Sequence, residues 1–173
     1  MRYLAICVFV LLPSRVVAEP VLTPRPLDAL AAEAFAAAIE RSATARSLVK
    51  RLEASNVIVH IESSRTMPLG IGGMTRFVVS RGGFRYVRIY IGADLPARAR
   101  TAILAHELQH ACEVADSHAD DARGLRGMFE HHGHRSGDFF ETAAAIATER
   151  TVRLELRTSR AALQAEPVVK FDH

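Results

Sequence analysis

The sequence contains no tryptophan, only 6% aromatic residues, and two cysteines in 173 positions. Cys7 sits in an apolar N-terminal stretch, which leaves Cys112 alone in the rest of the chain. A lone cysteine excludes an intramolecular disulfide framework, so stability must come from packing or from a metal. Cys112 lies two positions from His110, about 200° around a helix, and reads as a small apolar residue on the helix back rather than as a ligand or reactive thiol. No apolar run reaches the roughly 20 residues of a membrane span, so no span is expected. Charge of one sign is also lacking: 22 Lys plus Arg face 19 Asp plus Glu. The arginines are scattered, with no aromatic-interleaved basic run, so no nucleic-acid partner is expected.

What is present begins with Arg2, an apolar stretch from Tyr3 to Leu12, a break at Pro13-Ser14, and Val16-Val17-Ala18 before Glu19. Charge, length and small-residue site together predict a signal peptide over residues 1–18 and a secreted or periplasmic product. That segment carries Arg2 and Arg15 but no acid, so the mature chain is close to neutral. Residues 19–173 suit a single domain with a modest core. Pro20 to Pro26, with three prolines, reads as an exposed extended leader.

Leu27 to Glu53 is Ala-rich, with Leu30, Phe35, Ile39, Leu48, Val49 and Leu52 at mostly helical spacings, and predicts one long helix or two broken near Ser42. Val57 to Glu62 alternates as a strand covered mainly on one face, with His60 on the mixed face as a structural or solvated residue. Thr75 to Ser80 and Phe84 to Ile91 flank Arg81-Gly82-Gly83, the composition of an antiparallel hairpin. Ala97 to about Ala115 is helical by propensity. Asp116 to Gly137 reads as a long polar loop with a short helix around Leu125 to Glu130, and loops of that length usually serve a site. Asp138, with Glu141 three residues on, resembles an N-cap opening a helix to about Arg160. The whole is of the α+β class.

Within the Ala97 helix, His106-Glu107-Leu108-Gln109-His110 has the pattern His-Glu-x-x-His. Imidazoles at i and i+4 lie about 40° apart around the axis and about 6 Å along it, so both can reach one metal. Zinc accepts neutral imidazole nitrogen, and a catalytic site keeps one position for water beyond three protein ligands. Glu107 falls between the two histidines, placed to take a proton from that water rather than to bind the metal. The bland alternative is an exposed helix with two solvated histidines.

The segment Leu104-Ala105-His106-Glu107-Leu108-Gln109-His110-Ala111 resembles the active-site helix of zincin metallopeptidases. Phe140-Glu141-Thr142-Ala143-Ala144 resembles the glutamate-bearing second helix of their gluzincin branch. The resemblance covers about Phe77 to Arg150 and is strongest to small bacterial metallopeptidases. It implies a small, mostly antiparallel sheet packed on the His-Glu-x-x-His helix, with His106, His110 and Glu141 binding Zn2+ and Glu107 as general base. It also implies that Thr75 to Ser80 is a sheet edge along which a peptide or protein substrate adds as a strand.

Asp116 rivals Glu141, because metzincins take a third ligand ten residues after the first histidine. Their turn glycine is replaced here by Glu113, which favours continued helix and hence Glu141; His118, Asp120 and Asp121 are lesser contenders. No position matches the downstream oxyanion-stabilising His or Tyr of gluzincins, although His131, His132 and His134 stand in the loop. Two functions follow: an exported zinc-dependent peptidase, or a zincin-like zinc-binding protein that acts as a binding or scaffold module without hydrolysis.

Overall fold

The computed structural model describes residues 24–136 and 139–165. Along the chain run β1 (Arg25–Pro26), α1 (Ala29–Arg41), α2 (Ala43–Glu53), β2 (Val57–Ser64), β3 (Gly73–Arg81), β4 (Phe84–Gly92), α3 (Ala97–Asp116), α4 (Ala122–His132), β5 (His134–Ser136), β6 (Phe139–Glu141) and α5 (Ala143–Ala165). The fold is α+β, with five helices and a small mixed sheet. The signal peptide expected over residues 1–18 and the N-cap expected at Asp138 lie outside the described residues.

The main sheet has the order β1-β2-β4-β3. β1 and β4 each pair parallel with β2, and only β3 pairs antiparallel, with β4. A mostly antiparallel sheet is therefore not what forms. The reason is where burial is greatest: Val87, Ile89 and Ile91 of β4 are fully buried, so β4 takes the centre beside Val57, Val59 and Ile61 of β2. Gly73, Thr75, Arg76 and Ser80 make β3 the more polar strand, and it goes to the edge. Chain leaving β2 must pass β4's place to reach that edge, and the hairpin then returns β4 parallel to β2. Gly82 and Gly83 both have positive φ, 61° and 80°, as the two-residue turn of a twisted hairpin requires.

The first helical stretch breaks at Ser42, whose backbone is extended and whose Oγ accepts the Ala45 N–H at 2.9 Å to cap α2. Ser42 Oγ also donates to the Glu155 carboxylate, which joins α5 to the same helix start. Asp28 caps α1 through the Ala31 N–H and accepts from Ser63 N–H at 2.6 Å, so the helix start is tied to β2. The leader is not loose at its end, because Arg25 and Pro26 pair with His60 and Ile61.

α3 lies across one face of the sheet, with Leu104, Leu108, Ala111 and Cys112 in the core. On its other side Ala102 and Ala105 pack against Val152 and Leu156 of α5. The C-terminus of α3 is capped by a buried arginine from the sheet: Arg85 donates from Nη1 to the carbonyls of Val114 (2.6 Å) and Ser117 (2.8 Å), and from Nη2 to that of Ala115 (3.0 Å). A cation there meets the helix's unpaired carbonyls and the negative end of its dipole. α3 is thereby held at both flanks, and its middle turns become a rigid mount.

Candidate metal centre

His106, Glu107 and His110 occupy the middle of α3, and each is about 5% exposed although all are polar. Helical spacing stacks the two histidines with ring centroids 4.9 Å apart, and their Nε2 atoms approach to 3.1 Å. Glu141 Oε2 lies 3.0 Å from His106 Nε2. The ligating atoms of His106, His110 and Glu141 all fall within 4.8 Å of one another. Ligands about 2.0 to 2.1 Å from a tetrahedral ion are about 3.3 Å apart, so the His106–His110 and His106–Glu141 spacings of 3.1 and 3.0 Å need open by only a few tenths of an ångström, while a pair as wide as 4.8 Å would have to close. Two imidazoles and one carboxylate, the imidazoles buried and the carboxylate partly exposed, form a donor set that could hold a metal ion.

The far side of each ring is held by a carboxylate. Glu113 Oε2 lies 2.8 Å from His110 Nδ1, and Glu149 Oε2 lies 3.3 Å from His106 Nδ1. The second contact lacks the alignment of a full hydrogen bond, so Glu149 acts on the ring chiefly by charge. Both contacts turn the Nε2 atoms inward, as outer carboxylates do for metal-binding histidines. Glu113 is fixed in turn by Thr142, whose Oγ1 donates to its Oε1 at 2.7 Å. Glu149 accepts from Arg153 at 2.7 to 2.8 Å.

The electrostatics follow from this clustering. Burial alone would raise the Glu113 pKa, but the hydrogen bond and charge of His110 and the bonds from Thr142 and Gln109 hold it below the usual carboxylate value. Burial pulls the His106 pKa down, yet the hydrogen bond to Glu141 and the charges of Glu107, Glu141 and Glu149 outweigh it and raise the pKa. The site thus favours positive charge at its centre, which a metal ion or a proton supplies. For Glu107, burial dominates and raises the pKa despite His110, His106 and the Thr75 hydrogen bond.

Glu107 is set against β3. Thr75 Oγ1 donates to Glu107 Oε2 at 2.8 Å, and a Cβ at Gly73 would stand 2.7 Å from Glu107 Oε1. The carboxylate faces a cleft of about 380 Å³ between β3 and α4, lined also by His110, Glu141, Phe77, Leu125 and Phe129. β3 is the outer strand of the sheet, as the peptide-edge expectation requires.

Glu141 joins the cluster from a different element than expected. It closes β6 rather than standing in the first turn of a helix, because α5 starts only at Ala143, with Thr142 Oγ1 accepting the Ala145 N–H at 3.1 Å. The β5–β6 hairpin pairs His134 with Glu141 and presents the carboxylate to α3. Asp116 is not brought in: α3 continues through Glu113 to Asp116, whose side chain is 68% exposed and pairs with Arg51 at 2.8 Å. Asp121 instead caps α4, which is longer than the short helix expected inside a loop. His118, Asp120 and His60 lie outside the metal group, and His131 is exposed. Cys112 is buried on the back of α3, its Sγ 3.7 Å from the Leu48 carbonyl.

Glu113, Glu149, Thr142 and Thr75 escaped the sequence reading. Glu113 was legible, since position i+3 from His110 shares its helix face. Thr142 before three alanines is an N-cap signal. Thr75 and Glu149 carry no local signal, because they meet the site only through tertiary packing. In comparisons with protein-family models, curated proteins and solved structures, nothing matches this chain.

Proposed function

We propose that this chain is an exported zinc-dependent peptidase with Glu107 as its general base. The observation that carries the reading is the convergence of His106 Nε2, His110 Nε2 and Glu141 Oε2 beside a buried carboxylate that faces a cleft along an edge strand. In the reading, His106, His110 and Glu141 hold the ion, with Glu113 and Glu149 orienting the imidazoles. Zinc, when bound, acidifies water and polarises a carbonyl. Glu107 takes the proton of the attacking water and returns it to the leaving amine. Thr75 keeps the carboxylate aimed into the cleft, and the free edge of β3 aligns an extended peptide by main-chain hydrogen bonds.

The test is zinc per chain and cleavage of unfolded casein, measured on the same proteins. Wild type binds one zinc and cleaves. Glu107→Gln keeps zinc and loses at least about 100-fold in rate, the scale of general-base catalysis. Glu141→Ala loses zinc. A wild type without zinc sinks the metal reading, and zinc without cleavage leaves a metal-holding scaffold. One observation favours that second reading: among the described residues lining the cleft, no tyrosine and no histidine beyond His110 stands ready to stabilise an oxyanion.

A further inference from the structure

The cleft is a slot with a closed end. One wall is β3 from Gly73 to Phe77, the other is α4, and the floor is α3 with Glu107 and His110. Register along β3 shifts between Phe77 and Val79, a bulge that interrupts the free edge for pairing. Just beyond it Ser80 Oγ donates to the Asp120 carbonyl at 2.7 Å, so the link from α3 to α4 crosses the end of the strand. An extended chain adding to β3 therefore has only a few residues of edge between the metal group and this crossing.

The slot's charge is unevenly placed. Its acids are Glu141, a member of the metal group, and Glu107 beside that group. Of its cations, Arg76 is turned over the ring of Tyr90, 6.0 Å from the centroid, on the sheet face away from α3. Arg126 of α4 is exposed and pairs with no carboxylate among the described residues. Phe129, on the same helix, packs edge-on against His110 with centroids 5.3 Å apart. Arg126 precedes it by three residues, about 4.5 Å along the helix axis toward the crossing. Arg126 therefore lines the slot on the crossing side of Phe129, and Phe77 and Leu125 line the same slot.

We propose that the slot takes a short or terminal peptide segment bearing a carboxylate next to the bond presented to the metal group, and that Arg126 is the residue that selects it. This rests on the peptidase reading for which bond is presented, but not for whether a peptide carboxylate binds. A guanidinium fork matches a carboxylate with two parallel hydrogen bonds. Glu107 and Glu141 repel the same group from the metal end, which fixes its direction in the slot. The carboxylate comes either from an Asp or Glu side chain or from a free C-terminus.

The experiment uses the full chain carrying Glu107→Gln, loaded with zinc so that peptides bind without turnover, and three fluorescein-labelled apolar hexapeptides. One has an internal Glu and an amidated end, one an internal Gln and an amidated end, and one an internal Gln and a free C-terminus. Anisotropy is expected to show one carboxylate peptide binding about tenfold tighter than the neutral one, the scale of a charged hydrogen-bond pair; which one it is names the source. Adding Arg126→Gln brings the three within about twofold, and Arg126→Lys restores part of the preference because charge returns without the fork. Equal binding of all three, no binding of any, or a preference that survives Arg126→Gln with zinc content unchanged overturns the proposal. A carboxylate preference in a chain that, with Glu107 intact, cleaves nothing leaves the slot assignment standing and removes the peptidase reading.

Discussion

Replacing Gly73 with alanine tests how the general base is held without touching any ligand. The added Cβ would lie 2.6 Å from Ile103 Cγ2, 2.7 Å from Glu107 Oε1 and 2.8 Å from Glu107 Cγ. All three are closer than carbon atoms or a carboxylate oxygen tolerate, so something shifts. Ile103 is β-branched and stiff. The β3 backbone is pinned by Gly73 pairing with Ile91 and by the Gly92 N–H bonded to the Gly72 carbonyl at 2.8 Å. Glu107, the more flexible of the two side chains, must move and give up its Thr75 hydrogen bond, and the 2.6 Å contact forces a shift at Ile103 as well. Overpacking of this kind costs about 1 to 3 kcal/mol. In a chain of this size each kcal/mol lowers Tm by about 2 to 4 °C. Displacing a catalytic group by about 1 Å costs on the order of 100-fold in rate. Gly73→Ala is therefore expected to retain one zinc per chain, melt several degrees lower, and cleave a quenched peptide about 100-fold more slowly, read by metal analysis, calorimetry and kcat. Wild-type kcat with wild-type Tm would refute the close-approach argument, and loss of zinc would show that Glu107 and the ligands are not mechanically separate.

Chelation with EDTA is expected to lower the Tm of wild type, since an ion bound only by the folded chain adds about 2.7 kcal/mol at 100 times its Kd; Glu141→Ala shrinks that shift and Asp116→Ala does not. Asp28 has a lowered pKa: burial opposes ionisation, but hydrogen bonds from Ser63 and Ala31 favour the carboxylate. A carboxyl whose folded pKa is depressed stabilises above its unfolded value, near 3.8, and loses that contribution as pH falls through the folded one. Asp28→Asn should flatten urea midpoints measured between pH 5 and 2, and an unchanged slope argues against the link. Cys112, its thiol pushed up by burial to about 11, should stay unreactive toward a thiol reagent at pH 8 and react fully in denaturant. Rapid native labelling would show that α3 opens at its back.

Local chemistry made much of this protein legible from its residues. The break at Ser42, the Gly82-Gly83 hairpin and the straight run of α3 past Glu113 each depend on neighbours within a few positions, and the i, i+4 spacing alone puts His106 and His110 on one side of a helix. Sheet order was not legible, because which strand lies central is decided by competition for burial between β3 and β4, and that competition makes β2 and β4 parallel neighbours where a mostly antiparallel sheet was expected. The element carrying Glu141 was misread for a related reason. Asp138 and Glu141 have capping-box spacing, but Phe139, Phe140 and Glu141 pair with β5, and Thr142 takes the cap. Glu149 and Thr75 reach the site from 43 and 32 positions away from their partners in sequence, and no periodicity records such contacts. The residues that can hold an ion follow from helical geometry; what turns their nitrogens inward, aims Glu107 and closes the slot at Ser80 follows only from how α3, α5 and the sheet edge pack together.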